Sequence, residues 1–143
     1  MKTILKISLM IILATSFALT ANAQPELYNK LNKKLETLYK NGKTLEAIEV
    51  AKEALSVAEK TYGEKHPYVS VALNNIALLY ISEGQYEKAE ELYEKSLKIA
   101  EELLGKDNPQ LASILENMVK CNEKLGKVDK AEMLEARLDR IQE

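Results

Sequence analysis

Two adjacent asparagines, Asn74 and Asn75, lie among aliphatic residues in the stretch Leu73–Leu97. An amide side chain both donates and accepts hydrogen bonds, so it can bind a peptide backbone or join two helices. Amides are not among the side chains that act as general acids or bases in enzymes. The pair therefore indicates hydrogen bonding and not catalysis.

Side chains that support catalysis or metal binding are otherwise scarce in this chain. Among 143 residues there are one His, one Cys and no Trp. A structural zinc site uses about four Cys or His ligands, and a hydrolytic triad needs a His beside its nucleophile. The composition therefore argues against an enzyme and predicts no cofactor and no metal.

The first 23 residues have the layout of a secretory signal peptide. Lys2 and Lys6 form a basic start, an aliphatic run follows, and the segment ends in Ala21-Asn22-Ala23. This order predicts cleavage after Ala23 and export, as a periplasmic or secreted protein of bacterial type. The alternative is an uncleaved N-terminal anchor, although the run is shorter than a membrane span of about 20 apolar residues.

The remaining chain is mildly acidic. Two of the 20 basic residues lie in the leader, so residues 24–143 have 18 basic and 22 acidic residues and a formal net charge of −4. Charges of both signs are interspersed, whereas nucleic-acid binding requires a basic patch. The charge pattern predicts no nucleic-acid partner and no docking on anionic lipid.

Glycine and proline follow a strict period along the whole chain. The five glycines, from Gly42 to Gly126, are spaced 21 residues apart, and the three prolines, from Pro25 to Pro109, are spaced 42 apart. Glycine is favoured just after a helix C-terminus, where it adopts the left-handed conformation, and proline is favoured in a first helical turn. Each 42-residue unit therefore reads as two helices joined at a glycine.

The period predicts an all-α chain of three helix-turn-helix hairpins stacked side by side. The signal peptide is expected at 1–23, and one domain at 24–143, with repeats at about 25–66, 67–108 and 109–143. The six predicted helices are Pro25–Asn41, Thr44–Tyr62, Tyr68–Glu83, Tyr86–Leu104, Asn108–Leu125 and Val128–Ile141. Such units bury their apolar faces only by stacking, so about three are needed for a stable fold.

Helical spacing identifies the faces on which the two helices of the central hairpin pack. Leu73, Ile76, Ala77 and Tyr80 form one stripe, and a second stripe begins at Ala89. The acidic run that contains Glu90, Glu91 and Glu94 follows on the second helix. It is predicted to be a solvated face with pairs such as Glu91–Lys95, and not a metal site.

The period also assigns roles to the single histidine and the single cysteine. His66 and Asn108 occupy equivalent positions before a proline, which favours capping of the next helix over a role as a ligand or base. Cys121 is equivalent to Leu79, which favours a buried position. An exposed thiol that cross-links two chains is the alternative for Cys121.

These residues resemble the tetratricopeptide repeat in its 42-residue, kinesin-light-chain-like form. The similarity rests on Leu73, Ala77, Tyr80, Gly84, Tyr86, Ala89, Tyr93 and Pro109, with the Asn74-Asn75 pair. It extends over essentially all of the chain after the leader and is weakest in the last unit, where Asn122 replaces Tyr80. The resemblance implies an α-solenoid with a right-handed superhelix and a concave groove that binds peptide segments.

The groove that the resemblance implies is lined by the first helix of each hairpin. In the central unit we expect Val71, Leu78 and Ile81 to contact apolar side chains of a partner, and Asn74 to bind its backbone. In the outer units we expect Asn32, Glu36, Glu116 and Lys120 at the equivalent stripe. Further members of the stripe are Asn29, Tyr39, Lys40, Ser82, Ser113, Glu123 and Lys124.

Two alternatives remain open for this stripe. Neighbouring helices could cover its aliphatic residues, with Asn74 making a hydrogen bond between helices. Some relatives clamp a C-terminal carboxylate with basic residues, but here the stripe carries Glu36 and Glu116. The only arginines, Arg137 and Arg140, lie on the last helix, so this second binding mode is not expected.

The sequence thus predicts an exported, non-enzymatic adaptor that binds another protein or a peptide segment. It predicts no stable membrane span after leader cleavage. The alternative function is a self-assembling structural protein, a homo-oligomer formed through exposed helical end faces.

Overall fold

The computed structural model describes residues 24–142, and all of its regular structure is helical in that range. The predicted leader and its cleavage point at Ala23 lie outside the described residues. The helices are α1 (24–40), α2 (Thr44–Tyr62), α3 (Pro67–Ser82), α4 (Tyr86–Leu104), α5 (Ala112–Lys124) and α6 (Val128–Gln142). They form three hairpins, so the predicted all-α solenoid is confirmed.

The third hairpin begins differently from the prediction. A single helix was expected from Asn108, but a 3₁₀ turn occupies Pro109–Leu111 and α5 starts only at Ala112. The Asn108 side chain accepts a hydrogen bond from the Gln110 amide at 2.9 Å. His66 Nδ1 accepts one from the Tyr68 amide at 3.2 Å. The capping role predicted for both side chains is therefore confirmed.

Each hairpin turns at a glycine that follows its first helix. At Gly84 (φ +70°) the Gln85 amide donates to the Tyr80 carbonyl at 2.9 Å, and the Gly84 amide donates to the Ile81 carbonyl at 3.0 Å. These two bonds are the Schellman motif, which satisfies the last carbonyls of a helix. Equivalent pairs of bonds occur after α1 and α5.

The glycines that follow the second helices have another conformation. Gly63 has φ +86° and ψ +158°, and Gly105 has φ +89° and ψ +154°. This region of backbone space is accessible essentially only to glycine. The prediction of left-handed helical geometry at all five glycines was therefore wrong at these two, where the chain must extend towards the next hairpin.

Small residues let the two helices of the central hairpin approach closely. Ala77 on α3 and Ala89 on α4 are fully buried. The hydroxyl of Ser70 donates to the Ser96 carbonyl at 2.9 Å, and the hydroxyl of Ser96 donates to the Ser70 carbonyl at 2.8 Å. Reciprocal bonds of this kind satisfy buried hydroxyl groups that would otherwise be costly.

The acidic run of α4 is only partly solvated. Glu90 is 8% exposed, and its carboxylate accepts hydrogen bonds from Lys127 at 2.5 Å and Lys130 at 2.7 Å. Burial opposes ionisation of Glu90, but the two ammonium groups outweigh it, so the pKa of Glu90 is lowered. The expected solvated position of Glu90 was wrong, because the next hairpin supplies both lysines.

The structure also tests the expected Glu91–Lys95 ion pair and the expected burial of Cys121. Glu91 and Lys95 are not among the ion pairs that the described residues form within 4 Å. Cys121 is fully buried and its thiol donates to the Tyr86 carbonyl at 3.3 Å. Burial, with a smaller effect of Glu90, raises the pKa of Cys121 to about 11. The predicted burial of Cys121 is confirmed, and the alternative of an exposed thiol was wrong.

Candidate functional site

The first helices α1, α3 and α5 expose a common stripe, which we call the first-helix face. On α3 this face contains Val71, which is 50% exposed, and Leu78, which is 40% exposed, with the half-buried Asn74 between them. Aliphatic side chains one to two helical turns apart lie on the same side of a helix. Their exposed fractions show that neighbouring helices do not cover Val71 and Leu78.

A first cavity lies on this face between α1 and α3 and has a volume of about 340 Å³. It brings together three residues of the predicted groove, Asn32, Glu36 and Leu78. Its remaining lining residues are Leu35, Tyr39, Asn75 and Leu79. A hydrogen bond from Lys40 lowers the pKa of Glu36, so the one carboxylate of this cavity is already paired. The surface is thus mainly apolar, with amide groups at its edge.

A second cavity of about 280 Å³ lies on the other side of α3. It contains two further residues of the predicted groove, Val71 and Asn74. The C-terminal end of α4 and the start of the third hairpin complete it. Its other lining residues are Pro67, Ser70, Ala100, Leu103, Leu104, Gln110, Ser113 and Ile114. No charged side chain lines this cavity, so it suits an uncharged apolar group.

Asn74 and Asn75 serve different cavities although they are adjacent in sequence. Asn75 lines the first cavity and Asn74 lines the second, because successive helical residues are rotated by about 100°. The side-chain Oδ1 of Asn74 also accepts a hydrogen bond of 3.4 Å from Nδ2 of Asn117 on α5. At this length the bond is weak. Asn74 therefore joins two helices and remains available at the cavity surface.

Three residues of the predicted groove lie outside both cavities. Ile81 is half-buried and packs against the core cluster that contains Leu115 and Met118. Glu116 and Lys120 are exposed on α5. In the remaining stripe, Tyr39 lines the first cavity and Ser113 lines the second. The other five stripe residues are exposed and line neither cavity; they are Asn29, Lys40, Ser82, Glu123 and Lys124.

The sequence interpretation missed the α4 contribution to the second cavity. Leu103 and Leu104 are 44% and 41% exposed at the end of a helix whose outer face is otherwise charged. The equivalent positions at the end of α2 are Thr61 and Tyr62. The signal available in the sequence was therefore the pair of leucines before Gly105, which the first hairpin lacks at the equivalent positions.

A third cavity lies between α2 and α4, on what we call the second-helix face. It has a volume of about 440 Å³ and an apolar floor that includes Leu55, Leu92 and Ile99. Its rim carries charges of both signs, at Glu59, Glu64, Lys65, Lys95, Lys98 and Glu102. Lys65 and Glu102 pair across this rim at 2.7 Å. The first-helix cavities differ from it in having almost no charge.

The described residues were also searched for metal-binding groups and for membrane-spanning helices. Within residues 24–142, no group of three or more His, Cys, Asp or Glu side chains is arranged to hold a metal ion. No helix in this range combines the length and apolarity that crossing a membrane requires.

Comparison with protein families gives one family over most of the chain. The sequence pattern of the tetratricopeptide repeat matches residues 29–102 and, in an overlapping register, residues 68–138. A comparison with curated proteins gives no match.

Solved structures with the same fold include three helical repeat proteins. BtubC (BKLC) of P. vanneervenii has a TM-score of 0.72 at 22% identity, over 78% of this chain and 44% of its own. A Podosopora anserina protein with nearly identical TPR-like repeats has a TM-score of 0.71 at 23% identity, over 80% of this chain and 54% of its own. The TPR domain of Arabidopsis FLU has a TM-score of 0.71 at 18% identity, over 83% and 98%.

The chain spans about half the length of the first two of these structures. At these identities the likeness concerns the fold, which in all three is a solenoid of helical hairpins. The family pattern, the glycine period and the three observed hairpins agree, and the chain belongs to the tetratricopeptide repeat family.

Proposed function

We propose that this protein is an exported, non-enzymatic scaffold that binds a peptide segment of another protein on its first-helix face. The repeat fold itself supports a role in protein–protein interaction. The observation that carries the finer proposal is the exposure of Val71 and Leu78, each of which lines one of two largely uncharged cavities. Exposed apolar surface rimmed by polar groups is typical of a binding site.

The two cavities indicate the chemistry of the bound segment. Each has a volume suited to one or two apolar side chains, and each is bordered by amide groups, from Asn32 and Asn75 in one and from Asn74 and Gln110 in the other. Amides can pair with the backbone of an extended or helical peptide without requiring charge. We therefore expect a segment with two apolar anchor residues and a low net charge.

Peptide selection tests the binding proposal. A library of random peptides displayed on phage is selected on the purified chain, and affinities of the selected peptides are measured by fluorescence anisotropy. Leu78→Lys should weaken binding at least about 10-fold, since burying an unpaired charge costs more than about 1.4 kcal/mol. Leu45→Lys is the matched control, because Leu45 is 66% exposed and lines none of the three cavities.

The peptide-binding proposal fails if the two variants bind the selected peptides equally well. Helical content of both variants, measured by circular dichroism, shows whether they remain folded. Export is tested separately, by N-terminal sequencing of the chain after expression in a bacterium with a secretory pathway. We expect a mature N-terminus at Gln24 outside the cytoplasm; an intact Met1 in the cytoplasm would contradict export.

A further inference from the structure

The outer side of the first hairpin is a basic surface. On α3, Ala72, Ile76 and Leu79 are buried, and Ile76 and Leu79 pack in one cluster with residues of α2 in the preceding hairpin. The equivalent positions on α1 meet no preceding hairpin within residues 24–142 and are occupied by Lys30, Lys34 and Thr37, all exposed. Lys33 lies beside them and is also exposed. We call these four residues the N-terminal end face.

The outer side of the last hairpin is an acidic surface. On α4, Tyr93 and Leu97 are buried in the core cluster that includes residues of α5. The equivalent positions on α6 are Glu135 and Asp139, and Glu132 corresponds to Glu90. All three are exposed. We call Glu132, Glu135 and Asp139 the C-terminal end face.

The charges on the two end faces are not neutralised within the chain. The ion pairs formed within residues 24–142 include none of the three lysines of the basic face. They also include none of the three acids of the C-terminal end face. Opposite charge at the two ends of one stack is the arrangement that would let one copy continue the solenoid of another.

We propose that the chain associates with a second copy head to tail, through its acidic C-terminal end face and the partner's basic N-terminal end face. This association adds to groove binding and does not depend on it. The same charges could instead only solvate the ends of the stack. A solvating role requires polar residues at both ends but does not require opposite signs.

The internal junction between the second and third hairpins serves as a template for the proposed contact. Helices α4 and α5 run antiparallel, since Ala100 at the end of α4 shares a cavity with Ile114 near the start of α5. Tyr93 and Leu97 of α4 lie with Ile114 and Met118 of α5 in one core cluster. Transferred to two copies, the same packing brings Glu135 and Asp139 against the helix face that carries the partner's Lys30 and Lys34.

A third complementary contact follows from the first-helix face. The hydrogen bond between Asn74 and Asn117 joins α3 to α5. The position equivalent to Asn74 in the last hairpin is Glu116, and the position equivalent to Asn117 in the first hairpin is Lys33. The same relationship between two copies therefore pairs Glu116 with the partner's Lys33. This pair adds one more opposite charge to those that the two end faces bring together.

A head-to-tail contact uses two different surfaces, so it does not close a dimer and permits longer chains. Because it depends on exposed charges, it should weaken at high salt, where the Debye length falls from about 10 Å at 0.1 M to about 3 Å at 1 M. Sedimentation equilibrium of the full chain tests this directly. We expect mass to rise with concentration above the monomer value of 16.1 kDa at about 20 mM NaCl, and to fall to it at about 500 mM.

Charge reversal separates this proposal from other causes of association. K30E/K34E gives a chain with two acidic ends, and E135K/D139K gives a chain with two basic ends. Each variant alone should dissociate at least about 30-fold more readily than the wild type, whereas an equimolar mixture of the two should associate again. K60E/K98E is the control for net charge, because both lysines are exposed and lie on neither end face.

Recovery of association in the mixture also shows that both variants are folded. A wild-type chain that stays monomeric at about 1 mM in low salt would overturn the proposal and leave the charges as solvating ends. Association that persists in either single variant, or that salt does not change, would also overturn it. Those two results would assign the contact to another part of the chain, such as residues 1–23.

Discussion

Asn117 on α5 donates a hydrogen bond of 3.4 Å to the side-chain oxygen of Asn74 on α3, at the edge of the uncharged second cavity. This contact allows the two interpretations of Asn74 to be separated. In Asn74→Ala, loss of an amide that contacts a partner backbone should weaken binding of a selected peptide about 5-fold, which corresponds to about 1 kcal/mol. Anisotropy titration measures it.

Asn117→Ala is the matched control for this prediction. It removes the same interhelical bond but keeps the Asn74 amide, so peptide affinity should stay within about 2-fold of the wild-type value. If both variants lose affinity equally, the interhelical bond is what matters. If Asn74→Ala binds as well as the wild type, Asn74 has no contact with the partner.

Glu90 should make stability depend on pH. Its pKa is lowered in the folded state, because Lys127 and Lys130 outweigh the effect of burial. The stabilisation is therefore complete above the ordinary glutamate pKa of about 4.3 and is lost as pH falls below it. Glu90→Gln should lower the free energy of unfolding by about 1–2 kcal/mol at pH 7, and the difference should shrink below about pH 4.

Urea unfolding of the wild type and of Glu90→Gln between pH 3 and pH 7 measures the difference in the free energy of unfolding. Glu91→Gln is the control, since Glu91 is exposed and should change stability little. A gap between Glu90→Gln and the wild type that stays constant down to pH 3 would contradict the assigned ion pairs.

The two glycine conformations predict unequal costs for the same substitution. Gly84 has φ +70°, so Gly84→Ala should destabilise by about 1–2 kcal/mol. Gly105, with φ +89° and ψ +154°, should lose about 2–3 kcal/mol on substitution by Ala. A Cβ atom at either position would meet nothing within 4 Å, so the backbone alone sets the difference. Equal values from thermal unfolding would contradict the two geometries.

The buried thiol of Cys121 should react slowly in the folded protein. Its pKa of about 11 leaves little thiolate at pH 8, and the side chain is fully buried. Modification by Ellman's reagent should therefore be at least about 100-fold slower than in 6 M guanidinium chloride. A fast reaction without denaturant, or a disulfide-linked dimer on a non-reducing gel, would show that the third hairpin opens.

The sequence predicted the hairpins because glycine and proline report backbone requirements that repeat with each unit. It could not predict the two glycine conformations, since the same residue serves both. Glu90 was misplaced for a related reason: Glu132 occupies the same position in the last hairpin and is exposed, so only the following lysines distinguish them. Burial there depends on the neighbouring hairpin and not on the local pattern.

The candidate site was predictable along α3 and less so elsewhere. Val71, Asn74 and Leu78 were expected because the family resemblance implies a groove along the first helix of each hairpin, and all three lie on that one helix. The second cavity combines three separate segments, including Leu103 and Leu104, and no spacing rule within one helix identifies such a combination. Ile81 illustrates the opposite case, because its stripe position predicts exposure, while packing against the core half-buries it.

The most direct test of peptide binding on the first-helix face is amide chemical-shift mapping of the ¹⁵N-labelled chain with a selected peptide. We predict that the largest chemical-shift changes fall on residues that line the two cavities, namely Asn32, Val71, Asn74, Asn75, Leu78 and Leu103. Changes centred on Leu55, Leu92 and Ile99 would place the peptide on the second-helix face instead. That result would contradict peptide binding on the first-helix face.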